Sequence, residues 1–402
     1  MHTALSEYPC FNTLIMVQVV NPFIEHYCAH RTTGPVESSR RASRIEHIIA
    51  LLNKRGLIDL KQLRALCFYG VPSDCRGLRA LVWKLLLQYL PADVGLWSST
   101  HQGYIQQYEG FRKEFSCRRF ASFTESTLEA EVASGVLDAD LFLWREIRKD
   151  IERTCPELQF FFLPSDLKPE CESHSRLGLS PAEVLHNNSS DYSQSLVVTN
   201  GVERHADVMM RILYIYGQLN PGIRYVQGMN ELLAPIYYLF AHDPNPRFAH
   251  SLEVDTFYCF SHLMSELKEL FVRNLDETSL GINARLFHLH SLLHRLDPSL
   301  HTYLDYLGIS PHFYALRWLT LLLTQDFHMP DILKLWDSLL ADAKRFVFFD
   351  YVCVAMVVAS REAIIGQDFG TALKELQRVG SKKVEDVLRL AVDLMAADYN
   401  SI

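Results

Sequence analysis

The chain has 402 residues, of which 49% are hydrophobic and 21% are charged, and its formal net charge is -8. This composition is typical of a globular protein and excludes wholesale disorder, while the length allows either one large domain or two lobes. The negative charge excludes electrostatic support for a nucleic-acid partner at the level of the whole chain.

The N-terminal part of the sequence, residues 1–38, shows no helical period. It runs into the stretch Thr32-Thr-Gly-Pro-Val-Glu-Ser-Ser39, whose composition is typical of a linker. We therefore predict a poorly ordered tail, and we expect deletion of residues 1–36 to have little effect on function.

Beyond the tail, apolar residues recur at the spacings of three and four that are typical of helices. Asp59 is placed to cap one helix, which runs to Phe68. Segments 117–137 and about 164–198 are polar, and the second is predicted to be a flexible insertion. Because no run shows the strict alternation of a strand, the predicted fold class is all-α. Other helices are predicted at 76–90, 100–116, 205–218, 230–241, 254–271, 282–296, 301–307, 311–325, 331–341 and 346–365, with a last pair that ends near 396.

The segment from Asp140 to Pro156 contains the first candidate site. Asp140 is placed to cap a helix and Pro156 to stop it. Asp150 then lies one turn before Arg153, so its carboxylate can hold the guanidinium in one rotamer. Taken alone, this pattern is also that of a solvated surface ion pair. The predicted buried stripe of this helix is Leu143, Trp144, Ile147 and Ile151.

The second candidate stretch is a loop between two predicted helices, which begins with Asn220-Pro-Gly and ends at Glu231. Asn230 is placed to cap the following helix, so Tyr225, Gln227 and Gly228 belong to a short ordered loop. A glutamine followed by a glycine is suited to orient a water molecule or a partner's loop. The alternative interpretation is an ordinary polar connection between helices.

Several motifs that would carry chemistry are absent from the sequence. It has no Gly-x-x-x-x-Gly-Lys-Ser/Thr, Gly-x-Gly-x-x-Gly, Gly-x-Ser-x-Gly or His-Glu-x-x-His, so neither a nucleotide site nor hydrolysis by those routes is expected. His290 and His294 have ligand spacing on a helix but no Cys or Glu partner at a standard offset. We interpret them as part of a His-rich helix surface and predict no metal site. The cluster is His288, His290, His294 and His301.

The cysteine pattern and the apolar runs bear on the compartment. Nine cysteines without a Cys-x-x-Cys pair fit a reducing compartment. The apolar runs at 11–24 and 346–359 are too short to span a bilayer, so we predict no transmembrane segment and at most peripheral membrane association. The predicted location is cytoplasmic.

An Ile-x-x-Asp-x-x-Arg helix ending at Arg153, followed by a Tyr-x-Gln-Gly-Met-Asn loop beginning at Tyr225, resembles the TBC domain of Rab GTPase-activating proteins. The resemblance covers roughly residues 40 to 395. It implies a two-lobed, all-α TBC domain at 39–395, with residues 396–402 as the C-terminal end. Three more motifs support it. Gly70-Val-Pro72 with Leu78-Arg79 and Trp83 resembles the opening motif of the domain, and the two second-lobe motifs are Arg317-Trp-Leu-Thr-Leu-Leu-Leu-Thr-Gln-Asp-Phe327 and Leu335-Trp-Asp337.

The resemblance also implies catalytic roles in trans. Arg153 matches the family's arginine finger, which neutralises charge on the transferred phosphoryl group, and Gln227 matches the glutamine finger, which positions the attacking water. Asp150 matches the residue that steadies the arginine. Tyr225 and Gly228 match the loop that shapes contact with the GTPase.

Three further residues are assigned to partner binding: Arg317, Trp318 and Asn230. Arg317 and Trp318 match a helix near the catalytic groove, where the resemblance implies either packing or contact with the switch loops of the GTPase. Two positions depart from the family pattern. Arg224 stands where glycine is most frequent, which would change the flexibility of the loop, and Glu231 stands where aspartate is common. Neither departure removes Arg153 or Gln227, so we still expect an active GTPase-activating protein.

The implied partner is a Rab-family small GTPase in its GTP-bound state. That partner would hold GTP and Mg²⁺, so the chain is expected to have no cofactor and no nucleotide site of its own and to act as a GTPase activator. Recruitment to vesicle or endosomal membranes follows from the same resemblance. One alternative is a module that binds or scaffolds Rab-GTP without accelerating hydrolysis. Another is a helical adaptor unrelated to GTPases, which would leave the matched loop and helix unexplained.

Overall fold

The computed structural model describes residues 19–29, 39–73, 75, 77–115, 139–165, 203–271, 281–378 and 382–401. The polar segment predicted at 117–137 lies outside this set, as does the insertion predicted at 164–198 apart from its first two residues. The described residues form α-helices, short 3-10 turns and two isolated bridges but no strand, so the all-α prediction is confirmed. The helices are α1 (Glu25–Ala29), α2 (Ser39–Leu52), α3 (Leu60–Cys67), α4 (Leu78–Leu86), α5 (Trp97–Glu114), α6 (Ala139–Ile151), α7 (His205–Leu219), α8 (Met229–Ala241), α9 (Leu252–Leu267), α10 (Ile282–Leu296), α11 (Pro298–Leu307), α12 (Ala315–Leu321), α13 (Met329–Ala341), α14 (Val347–Val358), α15 (Arg361–Ile364), α16 (Phe369–Gln377) and α17 (Val384–Ser401).

The helices group into two lobes. In the first lobe α7 packs against α6, α8 and α9, and α5 covers α9. In the second lobe α14 packs against α10 and α17. Helix α13 lies between the lobes, because it packs against α3, α4 and α8 as well as α17. None of the helices in the described residues is both long and apolar enough to cross a membrane.

Asp337 of α13 is fully buried at the junction of the lobes. Its carboxylate accepts hydrogen bonds from Val71 N and Trp83 Nε1, both at 2.7 Å, and pairs with Arg79 Nε at 3.0 Å. The indole rings of Trp83 and Trp336 stack with their centroids 5.7 Å apart. The Gly-Val-Pro motif and the Leu-Trp-Asp motif therefore meet in the core, although they are far apart in the sequence.

Two predicted helix starts have different outcomes. Asp59 does cap α3, since its side chain accepts a hydrogen bond from Gln62 N at 3.0 Å. Asp140 does not cap α6, because the helix already includes Ala139. Its carboxylate instead accepts a hydrogen bond from Gln218 Nε2 of α7 at 2.7 Å.

The helix predicted at 311–325 is much shorter in the structure. Only α12 is α-helical there, because Leu322 and Leu323 adopt left-handed φ angles of 48° and 64°, which end the helix. The helix predicted at 346–365 is likewise divided into α14 and α15 by a turn at Ala359 and Ser360.

Residues 19–29 belong to the predicted tail but are packed into the first lobe. Phe23, Ile24 and Tyr27 are only 6%, 1% and 0% exposed. The prediction of a poorly ordered tail therefore does not hold for residues 19–29, and deletion of 1–36 would remove part of the core. Helix α1 has only five residues, too few to produce a helical period in the sequence.

Replacing Phe23 by alanine is expected to lower the free energy of unfolding by about 3–5 kcal/mol, because a buried aromatic ring is lost and a cavity remains. The ring packs against Trp97, with centroids 5.3 Å apart, and against Phe248 at 5.7 Å. Chemical denaturation measures the difference. The exposed neighbour Glu25 is the control, and Glu25→Ala should change the stability by no more than about 0.5 kcal/mol. Equal stabilities of the two variants would contradict the packing of residues 19–29.

Candidate functional site

Arg153 lies in the turn that follows α6. Helix α6 ends at Ile151, and its buried face, which includes Ile147, holds this end of the helix against α7. Arg153 Nη2 donates to Asp150 Oδ1 at 2.5 Å, while the side chains of Arg153 and Asp150 are 57% and 8% exposed. The pair therefore consists of a buried carboxylate and an exposed guanidinium, which differs from a solvated surface ion pair.

The second oxygen of Asp150 connects α6 to the loop that contains Gln227. Asp150 Oδ2 accepts a hydrogen bond from the Tyr225 hydroxyl at 2.6 Å. Burial and the Asp150 carboxylate raise the pKa of Tyr225 far above its usual value, so the hydroxyl remains a donor at physiological pH. With one oxygen bonded to each partner, the Asp150 carboxylate has little freedom to rotate.

Asn230 forms a second connection between the turn and the loop. Its Nδ2 donates to Thr154 Oγ1 at 2.9 Å, and its Oδ1 accepts from Gly228 N at 3.1 Å. Two predictions for Asn230 are therefore wrong. Helix α8 starts at Met229, so Gly228 and not Asn230 occupies the cap position. Asn230 is only 3% exposed, so it positions the loop and does not present a surface to a partner.

Gly228 permits a close approach between the loop and α12. Its φ angle is 105°, a value that residues with a side chain rarely adopt. A Cβ atom at this position would lie 2.6 Å from Leu321 Cδ2. The contact with Leu321 joins the loop in the first lobe to a helix that carries one of the second-lobe motifs.

Replacing Gly228 by alanine is expected to destabilise the protein by at least about 2 kcal/mol, since the φ angle is strained and Leu321 must move. Gly222 in the same loop is the matched control, because a Cβ there meets nothing within 4 Å and its φ angle is ordinary. Denaturation of both variants by urea measures the difference. Equal stabilities of Gly222→Ala and Gly228→Ala would contradict the expected cost of the left-handed φ angle at Gly228.

Gln227 is exposed and has no hydrogen-bond partner among the described residues. Its neighbours in the sequence are held, since Gly228 N is bonded to Asn230 and the Tyr225 hydroxyl to Asp150. The structure therefore connects the segments of Arg153 and Gln227 through buried polar groups, and it leaves both side chains accessible.

Two residues of the site were not selected from the sequence. Thr154 Oγ1 donates to Asp150 O at 2.8 Å in addition to accepting from Asn230. Gln325 Nε2, in the turn after α12, donates to Glu231 Oε1 at 3.3 Å, and burial raises the pKa of this glutamate. Their positions in the sequence could have identified both residues, because Thr154 follows Arg153 directly and Gln325 lies inside a second-lobe motif.

The two partner-binding residues predicted on α12 differ in exposure. Arg317 is 45% exposed, and its Nη2 donates to the buried Asp326 Oδ1 at 2.5 Å. Trp318 is fully buried, with its ring against Tyr314 at a centroid distance of 5.2 Å. Of the two roles expected for Trp318, burial favours packing in the core over contact with a partner. Partner contact by Arg317 stays a prediction.

Residues 199–365 match the family model of the Rab-GTPase-TBC domain. This range includes Gln227 and Arg317 but not Arg153. Over 397 aligned residues the chain is 36% identical to TBC1 domain family member 13 of Homo sapiens, with 89% of this chain and 99% of that protein covered. The chain belongs to the TBC family. The resemblance found in the sequence motifs is thereby confirmed.

Other TBC proteins are more distant in sequence but similar in fold. The GTPase-activating protein gyp1 of Schizosaccharomyces pombe is 23% identical over 88% of this chain and 60% of that protein. The crystal structure of the Ypt/Rab-GAP domain of Gyp1p superposes with a TM-score of 0.66 at 20% identity, covering 90% of this chain and 99% of that one. The two-lobed, all-α TBC fold is therefore confirmed.

The backbone at position 224 suits the glycine that the resemblance led us to expect there. Arg224 adopts a left-handed φ angle of 58°, which glycine reaches without steric cost. In this chain Arg224 Nη2 lies 3.4 Å from Ala139 O and 3.7 Å from Asp140 Oδ1. Arg224 therefore adds a contact to the start of α6 that glycine cannot make.

Proposed function

We propose that this TBC-family chain accelerates GTP hydrolysis by a Rab-family small GTPase, to which it supplies Arg153 and Gln227 in trans. Membership of a family whose model is that of the Rab-GTPase-TBC domain supports the activity. The observation that carries the mechanism is the network of Asp150, Tyr225 and Asn230, which holds the Arg153 guanidinium and the backbone on either side of Gln227.

Arg153 is suited to stabilise charge that develops on the transferred phosphoryl group. A guanidinium has five N–H donors in a planar fork. In this chain Arg153 Nη2 bonds to Asp150, and the remaining donors have no partner within the described residues. Asp150 thus restricts the rotamer and leaves the outer part of the fork for phosphate oxygens, so less side-chain entropy is lost when the partner binds.

Gln227 is suited to orient the attacking water, because its amide has both a donor and an acceptor group. The backbone on either side is held by the Tyr225 and Asn230 contacts, while the amide itself is accessible. In this proposal GTP and Mg²⁺ belong to the bound GTPase, and the chain itself provides no metal ligand to the reaction. The GTP-bound state of the partner is the one recognised, and the membranes on which Rab proteins act are the site of action.

Phosphate release from a panel of GTP-loaded Rab proteins tests the proposal. We expect the full-length chain to accelerate release from at least one member of the panel, and a titration with the chain should saturate. Binding to GTP-loaded Rab proteins without any acceleration would overturn the proposed activity and support the alternative of a binding or scaffold module.

Replacing Asp150 by alanine is expected to reduce the acceleration by about 10- to 100-fold, which is less than the loss of Arg153 itself. The physical reason is that Asp150 positions the guanidinium but does not contact the phosphate, and a misplaced group of this kind costs about that much. Single-turnover phosphate release measures it, and Tyr225→Phe should give a smaller loss of the same kind. Glu146, an exposed acid on α6 that pairs with Lys149, is the control. A Glu146→Ala effect equal to that of Asp150→Ala would contradict the positioning role.

A further inference from the structure

Two pairs of ligand-type side chains face each other across the hairpin of α10 and α11. His290 and His294 lie one turn apart on α10, and His301 and Asp305 lie one turn apart on α11. Because residues four apart share a helix face, each pair projects to one side of its helix. The two helices pack against each other, so the two pairs meet.

The distances within this cluster are those of ligands around one ion. His301 Nε2 lies 2.9 Å from His290 Nε2, which in turn lies 3.3 Å from Asp305 Oδ1. One ligand atom from each of the three residues lies within 4.8 Å of the other two. Ligands bound to a tetrahedral Zn²⁺ ion at about 2.1 Å are about 3.4 Å apart, so a small shift of these side chains would accommodate the ion.

The hairpin that carries the cluster is held at its turn. Only Asp297 separates α10 from α11, and its side chain accepts a hydrogen bond from Leu300 N at 3.0 Å. Arg361 Nη1 also bonds to both carboxylate oxygens of Asp297 at 2.6 Å. The side chains of the cluster are therefore brought together by the fold before any ion binds, which favours metal binding.

The cluster is accessible from solvent. His290 and Asp305 line a surface cleft together with Phe287 and Pro311. The side chains of His290 and Asp305 are 28% and 50% exposed, whereas that of His301 is 12% exposed. An ion can enter through this cleft, and water can occupy a remaining coordination position.

We propose that His290, His301 and Asp305 bind a divalent transition-metal ion of the Zn²⁺ class. Two imidazoles and one carboxylate suit Zn²⁺, whereas Mg²⁺ and Ca²⁺ prefer oxygen ligands throughout. The two facing Nε2 atoms otherwise share a proton, which the ion displaces. The bound ion joins α10 to α11 within the second lobe and uses neither Arg153 nor Gln227. The sequence predicted no metal site because no partner residue lies at a standard spacing from His290. Asp305 was missed because it approaches His290 only through the α10–α11 hairpin.

Zn²⁺ titration of the tag-free, full-length chain by calorimetry tests the proposal. We expect one equivalent to bind at this site, and His301→Ala and Asp305→Asn each to weaken binding by more than about tenfold, since loss of even a supporting residue of a metal site costs that much. Asp305 is half-exposed, so Asp305→Asn removes a ligand with little risk to the fold. His250→Ala is the control, because this exposed histidine lies outside the cluster.

Co²⁺ in place of Zn²⁺ identifies the ligands. Binding at His290, His301 and Asp305 gives visible absorption without a sulfur charge-transfer band, and Asp305→Asn should change that spectrum while His250→Ala leaves it unaltered. A charge-transfer band from thiolate ligands would assign the ion to cysteines and overturn the proposal. Absence of Zn²⁺ binding, or Zn²⁺ affinity that is unchanged in both His301→Ala and Asp305→Asn, would also overturn it.

Discussion

Arg153→Ala is expected to reduce the acceleration of GTP hydrolysis by about 10³- to 10⁵-fold, which is the range of an arginine supplied in trans to a GTPase. The guanidinium acts on charge that develops in the transition state, so its loss should lower the catalytic rate far more than the affinity for the GTP-loaded partner. Single-turnover phosphate release at saturating concentrations of the variant measures the rate, and a separate binding assay measures the affinity.

Two further variants separate the role of Arg153 from general charge. Arg153→Lys keeps the charge but lacks the planar fork, and we expect most of the activity to be lost. Lys149→Ala removes a neighbouring exposed cation, 56% accessible and paired with Glu146, and should retain nearly full activity. If Lys149→Ala and Arg153→Ala lost the same amount, the effect would come from electrostatic attraction to the partner and not from a finger.

The fold was predictable from the sequence because apolar periodicity is a local property. Helix α7 was predicted at 205–218 and is found at His205–Leu219, and the full set of helices identifies the all-α class. Apolar periodicity did not predict the helix ends that are determined by tertiary contacts. The left-handed Leu322 ends α12 against local helical propensity, and the short α1 is stabilised by burial of Phe23 in the first lobe.

The candidate site was likewise predictable where its contacts are local in the sequence. The contact between Asp150 and Arg153 lies within one turn, so residue spacing alone indicates it. The bond between Thr154 and Asn230 joins residues 76 positions apart, and no local pattern reports such a contact. Selection of Gln227 depended on the TBC motif, since an exposed loop glutamine has no distinctive environment of its own.

Burial also distinguishes between the two roles, packing and partner contact, that were expected for the motif residues of α12. Trp318 belongs to a second-lobe motif, and a motif position alone does not distinguish a core residue from a contact residue. The structure separates the two cases, because Trp318 is fully buried whereas the adjacent Arg317 is 45% exposed. Arg317 is therefore the residue of this pair that is available to a bound GTPase.

Gln227→Ala is expected to reduce the acceleration by roughly 10²- to 10³-fold, the cost of removing one positioned hydrogen-bonding group from a transition state. Alanine removes the amide that orients the water but leaves the buried contacts of Tyr225 and Asn230 in place. The stability of the variant should thus equal that of the unaltered chain. Single-turnover phosphate release and thermal unfolding measure the two quantities.

The response of the partner distinguishes a glutamine finger from a contact residue. If Gln227 orients the water, a Rab whose own catalytic glutamine is replaced should still be stimulated by the unaltered chain but not by Gln227→Ala. Gln367→Ala, which alters an exposed glutamine in the turn before α16, should behave like the unaltered chain. Loss of affinity for the GTP-loaded Rab with an unchanged rate at saturation would instead make Gln227 a docking residue, because loss of uniform binding lowers kcat/KM but not kcat. The double variant Arg153→Ala with Gln227→Ala also distinguishes the two roles. If Gln227 is a docking residue, the losses of kcat/KM from the two single variants should add in free energy. If both residues act on one transition state, the double variant should lose less than the sum of the single losses.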